Sequence, residues 1–438
     1  MYKRQVLRNA WQVKDLRRKL LYTILMLLLF RLCTYIPTPF IDQSVIQQAV
    51  GGNSGWGVID IITGGSLSGY TFMAMGITPY INASIILQLL TVVIPKLEQL
   101  SKEGPEGRKK ITQYTRYLGI VLAFVQAVGI CMSFGEEALV SDFQRNIFAY
   151  IIIGLTLTAG TALAIWMGER ITENGIGNGI SMLIFIGIIA RLPSTAIAYV
   201  QQAADQARNG NAALWWILPV IILAVAALVV IIVRVDLGER RIPVQYAKRI
   251  SGRKVYGGQS TYIPMKPNGA GVLPLIFAMS FLAFPNIIIK MFWPHVVWYD
   301  NWLGAGTPLY AVLSVILVLF FAYFYASISF NPDETANDIQ KYGGFIQGIR
   351  PGKPTSDYLK KINRRLTLFA GLFLAGIAVL PMIISAILGN MENSAPILNL
   401  ALTFSSTGLL ILTSVSIEVT KQLEAQLVMN HYKGFLDK

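Results

Sequence analysis

Apolar runs of about twenty residues recur ten times along the 438-residue chain, and no other feature constrains its fold as tightly. They lie at roughly 19–36, 71–94, 115–133, 147–167, 177–192, 213–233, 270–290, 308–330, 366–388 and 396–417. At about 1.5 Å per helical residue, such a run crosses a hydrocarbon core of about 30 Å. That core holds no water, so each backbone polar group needs an internal partner, which a helix supplies. Hydrophobic residues make up 54% of the chain and charged residues only 14%, against about 25% charged in ordinary soluble domains. The expectation is an all-α polytopic membrane protein with ten transmembrane helices.

A formal charge of +14 would suggest a nucleic-acid partner in a soluble protein. In a membrane protein its distribution among the loops is what matters. Lys and Arg number seven in residues 1–19, five in 95–114, one in 168–176, eight in 234–268, seven in 331–365 and three after 418. The alternate loops hold four, Arg145, Arg191, Arg208 and Lys290. The positive-inside rule then predicts that both termini are cytoplasmic, as an even number of spans requires. The first apolar run has the length of a true span and no small-residue cleavage site, so it is expected to stay. Cys33 and Cys131 each fall within a span and read as small packing residues.

The chain reads as one membrane domain, without low-complexity tracts or a linker long enough to isolate a soluble module. Two large basic loops stand out. Residues 234–268 alternate basic with β-branched and aromatic residues, as in a protruding hairpin, and residues 331–365 combine turn formers with a short helix. An internal echo links two spans. Gly76-Ile-Thr-Pro79-Tyr-Ile81 in the second and Gly271-Val-Leu-Pro274-Leu-Ile276 in the seventh both read G-x-x-P-x-I, five spans apart. Five is odd, so the two helices cross in opposite directions, as they would in inverted five-helix halves around a central path.

Several chemistries are excluded. Gly348-Ile-Arg-Pro-Gly352-Lys353-Pro354 is the nearest approach to a phosphate loop, but it has one residue too few between its glycines and a proline where the hydroxyl should stand. His295 and His431 are the only histidines, which leaves little for a zinc or hydrolytic site. The interiors of spans 2 and 4–10 carry no Asp, Glu, Lys or Arg, whereas an ion-coupled carrier keeps such groups there. Arg31 lies in the outer half of span 1, placed to snorkel or bond a neighbouring helix. No catalytic residue, metal ligand or cofactor is expected, and driving energy is expected to come from a partner.

Within span 2, Ile77-Thr-Pro-Tyr-Ile-Asn-Ala-Ser-Ile-Ile-Leu-Gln-Leu-Leu90 mixes Pro79, Asn82, Ser84 and Gln88 with isoleucines. Ile77 and Ile81 are one helical turn apart, while Asn82 points about 100° away. Its polar residues need protein or water around them, either as interhelical hydrogen-bond donors or as the wall of a polar path narrowed by the isoleucines. The preceding external loop holds a semi-apolar run too short to span, with Gly64, Gly65, Ser66 and Ser68 as breaks, which suits a segment folding back between helices. The cytoplasmic face is basic and loop-rich, suited to a large partner.

Longer stretches carry a resemblance. They are GITPYINASIILQLL (76–90), ITENGIGNGISMLIF (171–185), ERRIPVQYAKR (239–249), GVLPLIFAMSFLAFP (271–285), NPDETANDIQKYGGFIQGIRPG (331–352) and KQLEAQLVMNHYKGF (421–435). In this order and spacing, the chain resembles the SecY family, channel subunits of the bacterial protein-conducting translocon, along essentially its whole length.

The resemblance implies halves of 1–200 and 201–438 around an hourglass pore. It implies a multi-pass protein of the bacterial cytoplasmic (inner) membrane that passes unfolded secretory polypeptides outward and releases membrane segments sideways into lipid. The pore ring would be Ile77, Ile81, Ile184, Ile188, Ile276 and Ile411. The plug would be Ile59, Asp60, Ile61, Ile62, Thr63, Gly64, Gly65, Ser66, Leu67 and Ser68. Asn82, Gln88, Ser280 and Phe284 would belong to the lateral gate, and Lys248, Arg249, Arg253, Lys254 and Arg350 would dock the SecA motor ATPase or a ribosome. The partner subunits SecE and SecG, and signal peptides, are implied likewise. Thr78 and Asn82 are more polar than the family's commonest wording. The rival readings are a small-solute secondary transporter with inverted repeats and an intramembrane enzyme, for which no convergent catalytic set is found.

Overall fold

Among the described residues, a helix lies on each of the ten apolar runs, on the tenth from Ser406 onward. The computed structural model describes residues 11–46, 65–134, 139–140, 147–208, 213–246, 249–251, 254–256, 261–269, 271–292, 297–304, 307–388 and 406–436. The helices on the runs are α1 (Lys14–Cys33), α2 (Thr78–Val93), α4 (Pro105–Ser133), α5 (Ile147–Asn174), α6 (Gly179–Arg208), α7 (Ala213–Leu237), α8 (Leu273–Phe292), α10 (Pro308–Ser329), α12 (Lys353–Leu388) and α13 (Ser406–Leu436). Shorter helices are α3 (Pro95–Lys102), α9 (Val297–Leu303) and α11 (Pro332–Lys341).

Among the described residues, five helices are long and apolar enough to cross a membrane, or six if the bent pair α2 and α3 counts as one span. Two shorter apolar helices lie in α6 and α8. Physical reasons separate the rest: α1 opens with Lys14, Asp15, Arg17, Arg18 and Lys19, and α13 is described only from Ser406, part-way along its run. Only 6% of the hydrophobic window within Pro219–Leu237 of α7 is buried, so one side of that span packs on α6 and α13 and much of the rest is exposed.

Span 2 is shorter than its apolar run. Residues 65–77 form turns and α2 begins at Thr78. Gly76 has φ +50°, which ends any helix running into it, and Pro79 sits in the first turn, where its missing N–H costs nothing. The echo in span 7 has the same local geometry: Gly271 has φ +62° and Pro274 is the second residue of α8. The repeated motif is therefore a repeated helix start. At the far end of α2, Ile94 before Pro95 is extended and the chain turns by 102° into α3.

Packing divides the helices along two seams. α8 meets α2 and α4 along one, and α13 and α7 meet α6 along the other. The guanidinium of Arg116 on α4 grips both carboxylate oxygens of Glu169 on α5, at 2.8 and 2.7 Å.

The expected hairpin forms, so the helical fold carries a small β element. β1 (Arg240–Tyr246) pairs antiparallel with β4 (Thr261–Met265), Ile242 opposite Ile263, and nearer the tip β2 (Arg249–Ser251) pairs with β3 (Lys254–Tyr256). Alternation explains β1, for Ile242 and Val244 are buried while Arg241 and Pro243 are exposed. β5 (Gly344–Ile346), from the second basic loop, adds to the other edge of β1 with Ile346 opposite Val244. The two loops thus form one body over a core of Ile242, Val244, Ile339, Ile346 and Leu359. α11 is capped by Asn331, whose side chain accepts from the backbone N–H of Asp333 at 3.2 Å, with Pro332 at the first helical position. Ser356 Oγ and then Lys360 Nζ donate to Asp333, holding its carboxyl below its usual pKa and tying α11 to α12.

Candidate functional site

Side chains from four spans close the floor of one large cavity. The cavity has a volume of about 710 Å³ and is lined by Ile81, Ser84 and Gln88 on α2, Ile184 on α6, Ile276 on α8 and Val415 on α13, among others. Ile77, Ile188 and Ile411 join Ile81, Ile184 and Ile276 in one apolar cluster. All six isoleucines are buried, 4–7% exposed. Ile77 and Ile81 are stacked by the first helical hydrogen bond of α2, Ile81 N–H to Ile77 C=O at 3.1 Å. Ile276 gains the same position on α8 by donating to Val272 C=O at 3.1 Å. Thr78, one of the departures from the family wording, has a buried Oγ1 with no hydrogen-bond partner.

The polar residues of span 2 are divided between the two surroundings they required. Asn82 is buried within the protein, whereas Ser84 and Gln88 face the cavity. The phenol of Tyr325 on α10 donates to Gln88 Oε1, and Gln88 Nε2 donates to Ser84 Oγ at 3.3 Å. Phe277 lies beside this bond with its ring 5.1 Å from Tyr325 and 6.0 Å from Phe321. Ser280 is buried and Phe284 half-buried on the same helix. Of the expected gate residues, Gln88 is therefore bonded across the seam, from α2 to α10, while Asn82 lies on α2 and Ser280 and Phe284 lie on α8. Removing the hydroxyl by Tyr325→Phe is expected to cost this seam about 0.5–1.5 kcal/mol, a two- to tenfold shift toward its parted state. An engineered cross-link between α2 and α8 would form correspondingly more slowly, and an unchanged rate would deny the bond a part in closing the seam.

Asp236, Lys266, Asn268, Ser414, Glu418 and Lys421 surround the cavity's polar end. Burial, followed by the like charge of Lys266, pulls the Lys421 ammonium below its usual pKa.

Of the expected plug, Ile59, Asp60, Ile61, Ile62, Thr63 and Gly64 lie outside the described residues. Gly65–Ser68 form a turn in which Ser68 Oγ donates to Gly65 C=O at 2.9 Å. Leu67 is fully buried with Tyr70, Ile130, Cys131 and Ile153 in a cluster separate from the isoleucines. This end of the segment is therefore anchored on α4 and α5.

Of the expected docking residues, Lys248 and Arg253 lie outside the described residues, and Arg249 and Lys254 stand on the paired strands β2 and β3. Arg350 is exposed beside a shallow cavity of about 540 Å³ that includes Phe345, Ile349 and Pro351. Its carbonyl accepts from Thr355 Oγ1 at 2.8 Å, which pins the loop to the start of α12. Sequence reasoning missed Tyr325 and Asp236. Tyr325 is one aromatic among several in its span, while Asp236 could have been noticed as an acid closing an otherwise apolar run.

A family model for SecY matches residues 71–420. The protein translocase subunit SecY of Streptomyces scabiei is 43% identical over 445 residues, covering 98% of each chain. A solved protein-conducting channel superposes with a TM-score of 0.67 at 19% identity, covering 93% of this chain and 92% of that one. Sec61 in the canine ribosome–channel complex from the endoplasmic reticulum superposes with a TM-score of 0.63 at 16% identity, again over 93% and 92%. At those identities the superpositions establish the polytopic helical fold alone. With the family match and a relative 43% identical along nearly its whole length, this chain belongs to the SecY family, the channel subunits of the Sec protein translocon.

Proposed function

We propose that the six isoleucines seal a path along which unfolded polypeptides cross the membrane, and that the seam beside Gln88 and Tyr325 is its sideways exit. The chain is a protein-conducting channel without chemistry of its own, and family membership sets the small-solute carrier aside. The convergence of four spans on one buried isoleucine floor beneath a cavity of about 710 Å³ carries the reading. An aliphatic constriction resists wetting, so it impedes ions while idle. Flexible side chains without hydrogen-bonding groups can close around a chain of any sequence. A signal segment of about twenty apolar residues is more stable in lipid than in a wet pore, which drives its sideways release.

The finer assignments follow from the same reading. Residues 1–200 and 201–438 are two halves that part along the α2–α8 seam. The plug, Ile59–Ser68, blocks the idle path. The chain lies in the bacterial cytoplasmic membrane with both termini inside, because its basic loops alternate as the positive-inside rule requires. SecE and SecG are its partner subunits, with the outward apolar side chains of α7 available to a subunit or to lipid. The joined basic loops dock the SecA motor or a ribosome, whose RNA is anionic.

Reconstitution tests the function. Vesicles holding the chain with its partner subunits should protect an unfolded secretory precursor from added protease only when the motor and ATP are present. Saturable uptake of a small solute without such protection would overturn the reading. Deleting Asp60–Leu67 is expected to raise the idle ion leak while leaving export active, and membranes as tight as before would argue against a plug.

A further inference from the structure

One carboxylate joins the base of the cytoplasmic hairpin to two of the helices that carry the isoleucine floor. Asp236 is the penultimate residue of α7, four residues before β1 begins. Asn268, three residues after β4 ends, donates its Nδ2 to Asp236 Oδ1 at 2.8 Å. Ser414 on α13 donates its hydroxyl to Asp236 Oδ2. Both arms lead to the constriction by short, stiff routes. Asn268 C=O accepts from Gly271 N–H at 3.3 Å in the turn that opens α8, and Val272 C=O then receives Ile276 N–H at 3.1 Å. Ser414 stands three residues beyond Ile411, the next turn of the same helix.

We propose that Asp236 is a positioning residue through which a partner docked on the hairpin is felt at the isoleucine floor. The proposal rests on the docking role assigned above to the basic loops. The covalent route from the hairpin to α13 is long, from Met265 to Ser406, and although α7 also packs against α13, the carboxylate ties the base of the hairpin to that helix by directional hydrogen bonds. With both hydrogen bonds made, the hairpin base, the start of α8 and α13 move as one body. Hydrogen bonds to an ionised carboxylate are worth about twice neutral ones, which suits them to carry such a coupling.

The test reads the floor directly. Ile276→Cys is introduced with Cys33→Ala and Cys131→Ala, and the chain with its partner subunits is labelled in vesicles by a water-soluble maleimide, with and without the docked motor. In this parent, docking should speed labelling about fivefold or more. With Ser414→Ala or Asn268→Ala the acceleration should largely vanish while the motor binds as tightly as before. Asp236→Asn should retain part of it, since an amide can accept from Asn268 and donate to Ser414 Oγ but lacks the charge that strengthens both bonds. Undiminished acceleration in both alanine variants would overturn the proposal, as would loss of motor affinity in step with the acceleration. If the motor binds the parent without changing its labelling, the proposal fails; if the motor does not bind, the docking reading itself fails, and the role of Asp236 falls with it.

Discussion

Ile276→Asn and Ile411→Asn are each expected to raise the idle ion conductance of the channel about tenfold or more, the largest change among single substitutions here. Both side chains are buried in the shared cluster, 7% and 4% exposed. An amide placed there without a partner costs about 2–7 kcal/mol, a penalty relieved most simply by admitting water from the adjoining cavity. Each 1.4 kcal/mol by which the wetted state is favoured is about a tenfold gain in its population. A wetted floor passes ions and also tolerates weaker signal segments, because less work is left for the signal to do. Leu16→Asn is the control. That residue is also buried, 2% exposed, but belongs to a separate cluster with Ile176 and Leu423, so it should lower the amount of folded channel without raising the conductance per channel. Planar-bilayer recordings decide the matter, and equal conductance in both floor variants would count against the seal.

Arg350→Glu is expected to reduce motor-driven export about tenfold or more while leaving the channel folded and closed. The guanidinium is exposed, and the loop that presents it is held by backbone, through the bond from Thr355 Oγ1 to the Arg350 carbonyl at 2.8 Å. Reversing the charge therefore changes what a partner meets without removing a contact that shapes the loop. Like-charge juxtaposition at an interface costs several kcal/mol, so weaker binding and slower association should appear together. ATP-dependent translocation and motor binding, measured on the same vesicles, check this. Normal export would remove Arg350 from the docking surface.

The ten helices were legible because lipid leaves so few alternatives: a run long enough to span must satisfy its own backbone. The isoleucine floor was legible in part. The G-x-x-P-x-I echo fixes two equivalent helix starts and so sets Ile81 and Ile276 at matching depths, but that Ile184, Ile188 and Ile411 meet them depends on packing between spans far apart in sequence. Span 2 shows where composition misleads. Residues 71–77 are apolar enough for a helix, yet Gly76 at φ +50° and Pro79 move the start to Thr78. Alternation of basic with β-branched and aromatic residues in 234–268 revealed the hairpin, whereas its pairing with Gly344–Ile346 joins segments about a hundred residues apart and left no local mark. The partners of Gln88 and Asp236 were hidden for the same reason, since Tyr325 and Ser414 become their neighbours only after the helices assemble.

The most direct test of a polypeptide path through the isoleucine floor is a photo-cross-link from a probe at Ile276 to a secretory chain arrested mid-transfer, in membranes that contain the partner subunits and the motor. As the arrest point is moved, the probe should cross-link successive positions of the translocating chain. Cross-links only to lipid or to a neighbouring helix, with translocation shown to be active in the same membranes, would contradict the account.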